Sequence, residues 1–149
     1  MRILLDTTIL VRAHQNAEGL ARALLLELLA ARHVLVLSAS LLEEAERVLY
    51  YPRLVKASKL QPEQVTEYLE FLSASSHLVE IDRTLPVPIS DPKDSHVLQT
   101  AVAGRVDVLC TLDADFYEQP VLVFCEAKGI RVLHDFELLR LIRSTQEPA

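Results

Sequence analysis

Asp6, Glu44, Asp94 and Asp113 are the residues whose types and spacing suit chemistry in this chain. Asp6 directly ends the apolar run Ile3-Leu4-Leu5, and Asp113 follows the run VDVLCT at 106–111 by two residues. Glu44 falls in the first turns of a helical segment that follows a second apolar run, VLVL at 34–37. Asp94 falls in the first turn of a segment entered from a proline-rich stretch. In an open parallel sheet, ligands bind outside the carboxyl ends of the strands, so acids at these points converge on one edge. Carboxylates that close together repel and raise one another's pKa, and such a cluster persists when something positive sits in it. Oxygen donors without Cys or paired His select Mg²⁺ or Mn²⁺ over zinc. A divalent ion held at the open edge of a sheet can activate water and neutralise charge on a phosphodiester.

Other chemistries find less support. The five histidines (14, 33, 77, 96 and 134) show no spacing that makes a metal pair or a base–nucleophile dyad. His96 is two residues from Asp94, and an i, i+2 pair on a helix points in different directions, so no histidine receives a role. No Ser or Cys is placed with a partner base, which leaves covalent catalysis unsupported. Three glycines in the whole chain exclude a P-loop and a GxGxxG dinucleotide turn. An acidic-pocket receiver domain would need a Lys at a later strand end, and none is so placed.

The elements that must position the acids follow from periodicity. Apolar runs at 3–5, 34–37, 106–111 and 130–133 read as buried strands, with a further strand at 78–81. Residues 18–32 have helical spacing, with Leu20, Leu24, Leu25 and Leu28 on one side. A helix starts at Ser38 or Ser40 and stops at Pro52, and one or two further helices follow, the clearest carrying Pro62 near its first turn. Residues 82–90 form an extended loop. Asp91 then caps a helix with Pro92 at its first position and Gly104 at its end. Residues 120–128 and 136–143 form the last helices, and 144–149 a frayed tail. Alternating strands and helices predict an α/β fold, a three-layer α/β/α sandwich around a central, mostly parallel sheet, as a single domain over 1–143.

Several acids also have purely structural readings. With Ser40 as N-cap, Glu43 completes a capping box and Glu44 is left as the ligand candidate, whereas a cap at Ser38 removes that distinction. Asp91 reads as a helix cap before a ligand. Asp94, near a helix start, is favoured by the helix dipole alone. Asp113 and Asp115 lie in a turn, where Asp is ordinary.

With 149 residues, half of them apolar, the chain has one domain's worth of core. A formal charge of −6 excludes a general electrostatic adhesive for polyanions, so nucleic acid would need a local basic patch or bound cations. Arg47, Arg53, Lys56 and Lys59, with Tyr50 and Tyr51, are the one basic segment interleaved with aromatics. They could lead single-stranded RNA from phosphate contacts to base stacking, or simply form an exposed helix face. Tyr68, Phe71 and Leu72 belong either to the core or to a homodimer or partner surface. Cys110 and Cys125, both inside apolar runs, read as reduced core residues of a cytoplasmic protein. No uncharged apolar run approaches the roughly 20 residues that span a bilayer, so no membrane association is expected.

Four segments in order, LLDTTIL at 4–10, SLLEEAERVL at 40–49, DPKDSHVLQTA at 91–101 and VLCTLDADF at 108–116, resemble the PIN domain, a metal-dependent ribonuclease fold. The resemblance covers residues 2–143 and is closest to small single-domain toxin components of toxin–antitoxin pairs. It implies catalytic and metal-binding roles for Asp6, Glu44, Asp94 and Asp113, with Asp115 as an auxiliary acid and Thr111 as the hydroxyl residue before the last Asp. It further implies Mg²⁺ or Mn²⁺, an RNA substrate, products with a 5′-phosphate and a cognate antitoxin. Thr8 stands where the family often has Asn, and Leu112 where it often has Gly. Thr8 keeps a hydroxyl able to bond a carboxylate, whereas Leu112 costs backbone freedom at a turn. The other reading is a PIN-fold module that binds RNA or a protein without cutting.

Overall fold

The computed structural model describes residues 1–146. Five strands form one sheet: β1 (Arg2–Leu5), β2 (Val34–Leu37), β3 (Ser76–Leu78), β4 (Val108–Cys110) and β5 (Arg131–Leu133). All four pairings are parallel, in the order β3-β2-β1-β4-β5. Side chains of successive strand residues point to opposite faces. Yet Ile3, Leu4 and Leu5 are all fully buried, as are Leu35, Val36 and Leu37, so helices must cover both faces. The result is the expected three-layer α/β/α sandwich.

The helices are α1 (Thr7–Leu10), α2 (Leu20–Ala30), α3 (Ala39–Leu49), α4 (Pro52–Ser58), α5 (Pro62–Ser75), α6 (Ser95–Ala103), α7 (Gln119–Ala127) and α8 (Asp135–Gln146). Short 3₁₀ turns at Pro92–Asp94 and Ala114–Tyr117 carry acids of the candidate site. Helix α2 packs on α8, and α3 packs on α5 and α6. Cys110 and Cys125 are free and buried. Tyr68 and Leu72 join the core, and Tyr68 donates its hydroxyl to the carbonyl of Leu10 at 2.6 Å. Phe71 remains exposed.

Several boundaries differ from the sequence expectation. The third strand lies at Ser76–Leu78 rather than 78–81, because its pairing with Leu35, Val36 and Leu37 sets the register. Helix α3 takes Ser38 as its N-cap, the serine oxygen accepting from the Leu41 amide, so the capping box built on Ser40 and Glu43 does not form. Helix α8 continues through Gln146, past the expected end at Arg143, and the rest of the expected tail lies outside the described residues. Helix α1 has no counterpart in the expectation. One turn beginning at an acid carries too few residues for a periodic signal.

Gly104 ends α6 with an ordinary negative φ, so its role is space rather than conformation. A Cβ there would lie 2.4 Å from Cγ1 of buried Val36 and 3.2 Å from the carbonyl oxygen of Thr100. Gly104→Ala is therefore expected to destabilise the protein by about 1–3 kcal/mol through overpacking. Urea unfolding of Gly104→Ala in the wild-type and Val36→Ala backgrounds checks this, since the glycine substitution should cost less where Cγ1 of Val36 is gone.

Candidate active site

The chain winds outward from β1 through β2 to β3, then returns to place β4 on the other side of β1. The carboxyl ends of β1 and β4 thus flank the point where strand order reverses, the crevice in which open α/β sheets bind ligands. Asp6 leaves β1 there, and Asp113 follows β4.

Asp6 is only 3% exposed and each of its oxygens accepts a hydrogen bond. Oδ1 accepts from the Thr8 amide at 3.0 Å and from the Thr8 hydroxyl, and Oδ2 accepts from the Thr111 hydroxyl. Burial pushes this carboxyl up to about 6, although the three donors favour its charged form. The two hydroxyls also accept: Thr8 Oγ1 from the Leu112 amide at 3.1 Å, and Thr111 Oγ1 from the Asp113 amide at 3.0 Å. Asp6 therefore fixes the loop after β4 through two threonines. The expected backbone cost at Leu112 does not arise, because Leu112 has no positive φ and its side chain packs against the core.

Asp94, Asp113 and Asp115, all half-buried, each offer an oxygen, and these atoms lie within 4.8 Å of one another. The trio thus contains the auxiliary Asp115, while Asp6 stands outside it. Asp94 marks the start of α6 with no side-chain capping bond, so nothing local explains its carboxylate. Its pKa is raised to about 6 by burial and by the charges of Asp113, Asp91, Glu44 and Asp115. The Asp115 carboxyl is raised chiefly by Asp113. Asp113 caps the turn at Ala114–Tyr117 by accepting from the Asp115 amide at 3.0 Å. Asp91 caps the preceding turn, accepting from the Lys93 amide at 3.0 Å.

Glu44 reaches the same space from α3. Its Oε2 lies 2.7 Å from His96 Nε2, and His96 Nδ1 lies 3.0 Å from the Ser40 hydroxyl. His96, with the Thr7 hydroxyl and Arg47, holds the Glu44 carboxyl below its ordinary value, against burial. Histidine in this role was missed by sequence reasoning. The partners sit on α3 and α6, 52 positions apart, and only the i, i+4 spacing of Ser40 and Glu44 on one helix face hinted at a shared contact.

A cavity of about 560 Å³ is lined by Glu43, Glu44, Asp91 and Asp94 together with Arg47 and Tyr51. Arg53, Lys56, Lys59 and Tyr50 of the expected basic segment do not line it, because Pro52 starts a separate helix. Arg83 and Lys93 supply cations instead. Beside the trio, Tyr117 stacks on His134 at 4.5 Å and His134 on Phe136 at 5.8 Å, an aromatic ladder that strand ends bring together. Tyr117 also donates to the Thr111 carbonyl at 2.8 Å.

The donor set is all oxygen, the like charges are uncompensated by any ion pair to the trio among the described residues, and the imidazole of His96 is engaged by Glu44. Such a set fits a hard divalent cation. Among the described residues no helix is long and apolar enough to cross a membrane. No curated protein matches the chain. A family model described as PIN domain matches residues 2–115, from the first strand through the last acid of the trio. That span contains Asp6, Glu44, Asp94, Asp113 and Asp115, and the chain accordingly belongs to the PIN domain family, whose nucleases use divalent metal ions.

Proposed function

We propose that the protein is a Mg²⁺- or Mn²⁺-dependent endoribonuclease that hydrolyses phosphodiester bonds of single-stranded RNA. The observation that carries this reading is the convergence of Asp94, Asp113 and Asp115, whose oxygens lie within 4.8 Å although none of them makes an ion pair among the described residues. These three residues would hold the ion. When bound, it supplies a Lewis acid that lowers the pKa of water and offsets charge developing on the phosphoryl oxygens. Asp6 acts through Thr8 and Thr111 to hold the loop bearing Asp113 in place. Glu44, whose ionised form His96 favours, would orient the attacking water or a second ion. Arg47 adds positive charge beside the reacting phosphate.

Similarity of the four motifs to toxin components supports a cytoplasmic role as the toxin of a toxin–antitoxin pair, with a cognate antitoxin as partner. Exposed Leu26 and Phe71, at 45% and 39%, support a further contact such as a homodimer. A second reading, a PIN-fold module that binds without cutting, is favoured by one observation: both Asp6 oxygens already accept internal hydrogen bonds.

Cleavage of a labelled single-stranded RNA pool in Mg²⁺, Mn²⁺ or EDTA tests both readings. Cutting by the wild type in either metal, absent in EDTA and lost in Asp113→Asn, is the expected result. Cutting that survives Asp113→Asn would remove the trio from the mechanism. A melting temperature raised by metal without any cutting would favour the binding module.

A further inference from the structure

The acid-lined cavity adjoins a second one of about 600 Å³, and Arg83, Lys93 and His96 line both. The character of the walls changes between them. The first carries four carboxylates, whereas the second has none and is walled by the loop residues Leu85, Pro86 and Val87. Arg83 and Lys93 stand at the junction. Neither makes an ion pair among the described residues, even though carboxylates line the same space.

The loop carrying Arg83 is fastened rather than loose. Asp82 accepts from the amide and hydroxyl of Thr84, forming a turn, and the Leu85 amide donates to the Asp82 carbonyl at 3.2 Å. Behind it, the side chain of Gln99, only 6% exposed, donates to the carbonyls of Arg83 and Leu85 at 3.2 and 3.1 Å. A buried amide spent on two loop carbonyls holds the wall before any ligand arrives, which reduces the ordering cost of binding.

A ligand offering one phosphodiester would use the acid branch alone. A chain with phosphates at regular intervals would meet negative wall, then two unpaired cations, then an apolar strip suited to a ribose or base. We propose that the second cavity is a phosphate subsite of the nuclease, in which Arg83 and Lys93 bind the phosphate next along the RNA strand from the one at the acids. This inference rests on the endoribonuclease reading above, and it adds that the substrate must extend beyond the reacting linkage.

Equilibrium binding of fluorescein-labelled single-stranded oligoribonucleotides, measured by anisotropy in Ca²⁺ over a series of KCl concentrations, tests it. Arg83→Gln with Lys93→Gln should weaken binding by about tenfold or more and flatten the dependence of log affinity on log salt by roughly 1.4, about 0.7 for each lost contact. Lys128→Gln with Arg131→Gln removes the same charge at the opposite ends of the strands and should keep the wild-type slope. Arg83→Lys should also retain the slope, which separates charge from disturbed folding. A double variant with the wild-type slope would overturn the subsite while metal-dependent cleavage of the RNA pool left the nuclease reading standing. Wild-type protein that neither bound nor cut RNA would overturn both.

Discussion

Asp94→Asn is expected to lower metal-supported RNA cleavage by at least about a hundredfold while raising the melting temperature of the metal-free protein. The two effects share one cause. Asp94 is repelled by Asp113, Asp91, Glu44 and Asp115, and its side chain caps nothing. Without an ion, its charge opposes folding; with one, the same oxygen is a ligand. Partners outside the coordination shell already cost about 10–100-fold when removed, so loss of a direct ligand should reach the upper end or beyond. The stability gain is smaller, about 0.5–1 kcal/mol, because Asp94 is partly exposed and solvent screens the repulsion. Thermal melts in EDTA and single-turnover cleavage in Mn²⁺ read the two signs separately. A variant less stable than wild type in EDTA would show that Asp94 serves the fold rather than the site.

Proton linkage carries the second large effect. Asp6 and Asp94 have folded-state values of about 6 against an ordinary 3.8, so between these values the folded protein holds more protons than the unfolded chain. Stability in EDTA should therefore fall as pH rises through that window and level off above it. At 1.36 kcal/mol per unit, buried Asp6 corresponds to about 3 kcal/mol, with Asp94 adding less after screening. His14 and His33, both lowered by burial, work in the opposite direction as pH falls. Differences between wild type and Asp94→Asn at each pH cancel the histidine contributions. The advantage of the variant should be full above about pH 6 and vanish near pH 4, and saturating Mn²⁺ should reverse its sign. A difference independent of pH would show that Asp94 does not carry the raised value.

Much of the architecture was legible along the chain. The runs at 3–5 and 34–37 have apolar residues at every position, which predicts strands buried on both faces, and all of these residues are fully buried except Val34 at the start of β2. Prolines 62 and 92 mark the starts of helical turns, as expected, because their fixed φ suits a first turn and their missing amide costs nothing there, whereas Pro52, expected only to stop a helix, also starts α4. Register was less legible. Strand β3 is short, polar at two of its three residues and at the sheet edge, so local pattern placed it two residues late and pairing with β2 decided its position.

The acids show the same division. By itself the sequence determined the fold class, the strand ends that carry Asp6 and Asp113, and the oxygen character of the candidate donors, since each depends on residue type and local periodicity. Tertiary structure alone decided that Asp115 joins Asp94 and Asp113 while Asp6 turns inward to Thr8 and Thr111. It also decided that His96 holds Glu44, and that Arg83 and Lys93 rather than the α4 cations stand beside the acids. The physical reason is that convergence depends on where side chains point after strands β1 and β4 come together, and a carboxylate's partner can lie on any element that ends at the same edge of the sheet.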